Sequence, residues 1–192
     1  MRWDAPRRGR THRPLMTSSP PARPSRGFGH ESPRNESIEW FTPPEIFDAL
    51  GLRFDLDPCS PGAGKSFVPA DRHYTIDDDG LASPWLQGET VWVNPPYGTA
   101  TQAWMRRLAD HGNGIALVFA RTDVRWFQDV GATADLICFV SGRIKFHRGN
   151  ATDLPGTPGA GSMVMAYGDK AAKALRTSNL GVLVTPIPKD LS

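Results

Sequence analysis

Asn94-Pro95-Pro96-Tyr97 is the part of the chain whose residue types and spacing suit a definite chemistry. The tetrapeptide follows an apolar run, Val91-Trp92-Val93, and is closed by Gly98. A residue that precedes proline is held extended, so Asn94 and Pro95 are both kept open. The two prolines have no N–H and present only carbonyls. The motif is therefore a rigid pair of hydrogen-bond acceptors, the Asn94 side-chain oxygen and the Pro95 carbonyl, with Tyr97 as a flat wall. Such acceptors suit an amine nucleophile whose lone pair is delocalised into a ring, as in the N6 amine of adenine. Gripping its hydrogens favours the tetrahedral amine that can attack a sulfonium methyl. Tyr97 would stack on a base drawn out of a duplex, offsetting an unstacking cost of roughly a few kcal/mol. No metal, nucleophilic side chain or strong general base is needed. A Pro-Pro turn after a buried strand accounts for the prolines and Gly98, but not for the Asn–aromatic pair.

Positioning such a motif requires a frame, and apolar runs recur along the chain at a regular pace. Strands are expected at Arg53–Asp57, Thr90–Val93, Ile115–Ala120, Leu136–Val140 and Met163–Tyr167, with a weaker one at Gly181–Thr185. Helical patterns fill 101–110 and the segment from Val124. Strands apolar on both faces that alternate with helices predict an α/β fold, a mostly parallel sheet with flanking helices. Ligands then bind beyond the carboxyl ends of the strands. Order begins near Glu39. In Phe41-Thr42-Pro43-Pro44-Glu45-Ile46, Thr42 reads as a helix N-cap, Pro43 as the first helical residue and Glu45 as the closing member of a capping box. Gly51 ends that helix.

The chain's net charge of +2 is unevenly spread. Arg2, Arg7, Arg8, Arg10, Arg13, Arg23, Arg26 and Arg34 stand against Asp4, Glu31 and Glu36, which gives residues 1–36 a charge of +5 and the remainder −3. Residues 1–37 are rich in Pro, Arg, Ser and Gly and nearly free of aliphatic side chains, so they read as a disordered leader. A DNA-attracting arm is the functional alternative to an inert one. The folded domain is 38–192. No run approaches the ~18 apolar residues of a membrane span, and a cytoplasmic location is expected. Cys59 and Cys138 read as free thiols. The five histidines and two cysteines lack metal-ligand spacing, so no metal is expected.

Any grip on a polyanion must rest on local patches. Arg121-Thr122-Asp123 follows a strand beside the motif-bearing one; Arg121 is placed to hold a phosphate, with Asp123 steadying it and Arg125 just beyond. The densest basic cluster lies in Gly142–Asn150. There Arg143, Lys145 and His147 alternate with Ile144 and Phe146, as in a ribbon with one basic and one apolar face. Residues 142–160 read as a loop over DNA, with Arg143, Lys145 and Arg148 on phosphates and base-reading side chains within Asn150–Asp153. Cys59–Ser66 mimics the end of a phosphate-binding P-loop. Cys59 replaces its first glycine, however, and Pro69 interrupts the segment where a helix should open.

Taken in order, these segments resemble the phage-type (Dam-like) DNA N6-adenine methyltransferases. The resemblance runs from about Trp40 to Tyr167. It covers W-F-T-P-P-E-I-F-D-A-L at 40–50, L-D-P-C at 56–59, D-D-G-L-x-x-x-W at 78–85, V-W-V-N-P-P-Y-G at 91–98, A-R-T-D-x-R-W-F at 120–127 and G-R-I-K-F at 142–146. It implies a reduced Rossmann-like S-adenosylmethionine-dependent methyltransferase fold. The implied reaction is site-specific methylation of a flipped adenine in double-stranded DNA, in a phage or prophage setting of protection from restriction. Asn94, Pro95, Pro96 and Tyr97 would be catalytic. Thr42 and Pro43 would touch the methionine part of S-adenosylmethionine, Asp57 would take its ammonium, and Asp79 would accept a hydrogen bond from its adenine amine. The chain departs from the general plan because only Pro58–Asp78 separates Asp57 from Asp79, too little for a helix, a strand and a second helix. This leaves the ribose contact open among Asp71, Asp77 and Asp78. Methylation of the N4 amine of cytosine, or a catalytically silent DNA-binding relative, are the alternatives.

Overall fold

A computed structural model describes residues 40–148 and 158–187; residues 1–39, which hold the expected leader and the expected start of order near Glu39, together with 149–157 and 188–192, lie outside the described residues. In chain order the elements are β1 (Trp40–Phe41), α1 (Pro44–Leu50), β2 (Phe54–Asp57), β3 (Ala70–His73), β4 (Val91–Val93), α2 (Thr101–His111), β5 (Gly114–Phe119), α3 (Arg125–Asp129), β6 (Leu136–Val140), β7 (His147–Arg148), β8 (Ser162–Tyr167), α4 (Asp169–Thr177) and β9 (Gly181–Val184). Two 3-10 turns, Ile76–Asp78 and Gly131–Thr133, complete the set.

Seven strands form one sheet in the order β3-β2-β4-β5-β8-β6-β9. Pairing is parallel from β3 through β5, whereas β8 lies antiparallel between β5 and β6, and β9 antiparallel to β6. Five strands thus run one way and only β8 and β9 are reversed, so the sheet is mostly parallel. β1 and β7 form a separate antiparallel ribbon. This α/β architecture agrees with the reduced Rossmann-like methyltransferase fold that the resemblance implies.

Both faces of the sheet are covered, which is why β4 is apolar throughout and every residue of β8 is buried. On one face Phe54, Trp92, Ile115, Leu117 and Val164 pack against Ile46, Phe47 and Leu50 of α1, against Ala171 and Leu175 of α4, and against Ile144 and Phe146. On the other, Leu56, Val91, Val93, Ala116 and Met165 meet Trp104, Met105 and Leu108 of α2.

The opening of α1 differs from the expectation. The N-cap is Pro43, at φ −71° and ψ 152°, and no side chain caps the helix. Pro44 forces the residue before it out of the helical region, so Pro43 cannot be the first helical residue. Gly51, at φ 57°, ends the helix as expected. The helix from Val124 ends after Asp129 and gives way to the 3-10 turn Gly131–Thr133; Phe127 packs over Gly131, where a Cβ would stand 2.6 Å from its ring. β2 reaches β3 through turns with no crossover helix, and the P-loop-like segment lies in those turns.

Candidate active site

The chain steps from β2 to β3 on one side and then resumes with β4 on the other, so its winding reverses at β2. In open α/β sheets ligands bind at such a switch point, outside the carboxyl ends of the strands. Asp57 ends β2 and Asn94 follows β4, so both stand at that crevice. Phe119 ends β5, the next strand along.

Asn94 Nδ2 donates to the Trp40 carbonyl at 2.9 Å and to Thr42 Oγ1 at 3.3 Å. With both acceptors on the nitrogen side, the network fixes which way the amide faces, and Oδ1 is turned to the site. There it accepts the Tyr97 hydroxyl at 3.2 Å. Burial, with the neighbouring Cys59 adding to it, pushes the Tyr97 phenol well above its ordinary value, so Tyr97 stays protonated and donates. The Tyr97 ring lies on that of Phe119, with centroids 3.7 Å apart and planes 7° from parallel. The amide oxygen and the aromatic face that the motif offers to a base are thus both engaged by groups of the chain itself. Pro95 is buried; Pro96 is exposed, and its carbonyl accepts the Thr101 hydroxyl at 3.0 Å.

Of the residues expected at the cofactor, Thr42 is 3% exposed, turned to Asn94, and Pro43 is buried beside it. Asp57 is 2% exposed. Its carboxylate accepts the Cys59 N–H at 3.4 Å and the Ser66 hydroxyl at 3.5 Å, and lies 3.7 Å from His73 Nδ1. Asp57 raises the His73 pKa against the opposing effect of partial burial. Ser60 Oγ is nearer to the same ring nitrogen, at 3.1 Å. Burial and the Asp57 charge push the Cys59 thiol well up, which keeps it protonated.

Asp79 is exposed at φ 47°, and no hydrogen bond or ion pair engages its carboxylate among the described residues. Gly80 beside it is a close-packing position, since a Cβ there would stand 1.8 Å from the Pro58 carbonyl oxygen. The spacing D-G-L-x-x-x-W has a structural cause: the Trp85 indole N–H donates to the Gly80 carbonyl at 3.0 Å. Arg107 stands over the Trp85 ring and bonds the Leu81 and Ser83 carbonyls. Asp71 pairs with Arg53, and Asp78 is held by the Thr75 N–H and hydroxyl, which lower its pKa. The acceptor set fits a cofactor bearing an ammonium and an exocyclic amine: Asp79 is free, and Asp57 faces an imidazole that an ammonium could replace.

β6 runs in the direction of β4 and β5, so the chain leaves all three at one edge of the sheet. Arg121 and Arg125 follow β5 there, and Arg143 and Lys145 follow β6; all four are exposed. Arg143 donates to the Pro158 carbonyl at 3.1 Å. Ile144 and Phe146 are buried, which gives the expected alternation. Among the described residues no ion pair joins Arg121 to Asp123; Arg125, its side chain 90% exposed, instead pairs with Asp129 at 3.5 Å, a contact of little energetic weight. Arg148 pairs through its backbone with Trp40. Asn150–Asp153 lie outside the described residues. Sequence reasoning missed His73, Phe119 and the Trp40 carbonyl. The aromatic type of Phe119 at the carboxyl end of a buried strand beside the motif was the one available signal.

No curated protein and no solved structure matches the chain significantly. The family described as DNA N-6-adenine-methyltransferase (Dam) matches residues 30–180. That match takes in every element around Asn94 and most of the chain, which therefore belongs to the DNA N-6-adenine-methyltransferase (Dam) family.

Proposed function

We propose that the protein transfers a methyl group from S-adenosylmethionine to the N6 amine of an adenine flipped out of double-stranded DNA, within the cytoplasm of a bacterial host. The observation that carries the reading is the Asn94 amide, whose nitrogen is tied to Trp40 and Thr42 while its oxygen faces the site beside an aromatic ring. Asn94 Oδ1 and the Pro95 carbonyl accept the two amine hydrogens and draw the nitrogen lone pair out of the ring. Pro96 holds the turn, and Tyr97 provides the stacking face. When bound, S-adenosylmethionine supplies an electrophilic methyl on a sulfonium. Asp57 would hold its ammonium and Asp79 its adenine amine, with Thr42 and Pro43 along the methionine part. Asn94 is not a base, so the proton that the methylated nitrogen sheds passes to solvent. Arg121, Arg125, Arg143, Lys145 and Arg148 would hold phosphates.

The test is to incubate the protein with adenine-unmethylated duplex DNA and labelled S-adenosylmethionine, then identify the modified nucleoside by mass spectrometry. N6-methyldeoxyadenosine is expected. N4-methyldeoxycytidine would move the reading to the other exocyclic amine that the same acceptors fit. DNA binding without a labelled nucleoside would make the chain a silent relative.

A further inference from the structure

We propose that Phe119 is the second plate of the target-base pocket, so that the flipped base enters between the rings of Tyr97 and Phe119. The inference rests on reading the site as one that takes a flipped base. At 3.7 Å and 7° the two rings lie nearly face to face. Aromatic pairs disfavour that arrangement relative to offset or edge-on contact, because two negative faces oppose. A base between the rings exchanges that face-to-face contact for two stacked ones, since every base has a π-face.

The hydrogen bonds follow the same logic. The Tyr97 hydroxyl now occupies Asn94 Oδ1. Parting the rings withdraws the hydroxyl and leaves that oxygen to the amine of whatever lies between them. One movement thus opens the stacking slot and frees the acceptor.

The two plates differ in how they are held. Phe119 is the last residue of β5 and is paired with Ser162 of β8, and the next residue, Ala120, donates its N–H to the Gly161 carbonyl at 2.8 Å. Tyr97 lies on a turn between Pro96, whose carbonyl is anchored by Thr101, and the exposed Gly98-Thr99-Ala100. Gly98 has φ 116° and nothing within 4 Å of a Cβ position, so the turn is free of packing just after the ring. Phe119 is the fixed plate and Tyr97 the moving one. Arg121 leaves the same strand two residues after Phe119, exposed, where the phosphate of the flipped nucleotide would pass.

The test labels the full chain with 3-fluorotyrosine, which gives three 19F resonances, from Tyr74, Tyr97 and Tyr167; Tyr97→Phe assigns the relevant one. The probes are single-stranded oligodeoxyadenylate and an abasic oligonucleotide of equal length. The adenylate should shift the Tyr97 resonance and the abasic strand should not. Phe119→Leu should shift that resonance in the free protein, weaken the adenylate response about ten-fold, and cut kcat on unmethylated plasmid by about the same factor, as for loss of a stacking plate. The KM for S-adenosylmethionine should not change. Phe119→Trp, which keeps a flat face, should restore both readouts. Wild-type adenylate response and kcat in Phe119→Leu would overturn the proposal, as would methylation by a wild-type protein whose Tyr97 resonance never moves. A Phe119-dependent response with no methylated nucleoside would instead sustain the pocket and overturn the proposed reaction.

Discussion

Asn94, which follows β4, points its amide nitrogen at the carbonyl of Trp40 in β1, 2.9 Å away and 54 positions earlier in the chain. That contact, with the Thr42 hydroxyl as its second acceptor, leaves the amide oxygen nowhere to face but the site. Asn94→Ala should slow methyl transfer about 100-fold or more, as for a lost transition-state hydrogen bond, with cofactor affinity unchanged. Thr42→Val should lower kcat about five-fold through a looser amide, the worth of a neutral hydrogen bond, and Thr42→Ser should not. A Thr42→Val enzyme with normal kcat and a raised KM for S-adenosylmethionine would return the hydroxyl to the cofactor.

His73 gives the site a pH dependence with a definite sign. Asp57 raises its pKa, so their pairing contributes in full below the ordinary imidazole value of about 6.5. The contribution is lost as pH rises through the raised folded value. Once the ring is neutral, Asp57 is available to an ammonium. S-adenosylmethionine affinity measured by calorimetry should therefore rise as pH passes above 6.5 and through that folded value, and His73→Gln should flatten the rise. Identical profiles in the two proteins would detach His73 from the cofactor site.

Gly80→Ala should destabilise the protein by about 1–3 kcal/mol, the usual range for forcing atoms into a packed site. A Cβ there meets backbone, the Pro58 carbonyl oxygen at 1.8 Å, and backbone cannot rotate aside. Because Asp79 and the end of β2 meet through that contact, cofactor binding should weaken as well. A thermal melt and a titration on the same sample check both, and an unchanged midpoint would contradict the packing.

The cations at the sheet edge predict a salt signature. Each of Arg121→Ala, Arg143→Ala and Lys145→Ala that removes a phosphate contact should lower the magnitude of the log–log slope of duplex affinity against salt by about 0.9. Slopes equal to that of the parent for all three would place the DNA path elsewhere.

How much of this the chain spelled out depended on burial. β4, β5, β6 and β8 are apolar on both faces and were legible as strands. β3, Ala-Asp-Arg-His, is a polar edge strand with no alternation to read, and it is seen only through its pairing with β2. α4 carries its buried stripe on two alanines and one leucine, too little contrast to stand out before the fold is known. In the site, the motif at Asn94–Tyr97 was readable because its prolines act locally. The partners of Asn94, Tyr97 and Asp57 were not, because Trp40, Phe119 and His73 reach them through tertiary contacts. Thr42 misled for a related reason: its hydroxyl looked like a helix cap, but it faces Asn94.

The reversed strand between β5 and β6 also governs how the protein comes off the ribosome. When β6 emerges, the position between it and β5 has to stay vacant for β8, which begins only at Ser162. Until then two apolar strand edges face a gap of about two strand spacings, close to 10 Å, with nothing to fill it. Such edges template association between chains, and domains built on distant pairings fold slowly. Nascent or truncated chains that stop between Val140 and Ser162 should therefore be the species that aggregate or engage chaperones, whereas chains extended through Tyr167 close the sheet and escape.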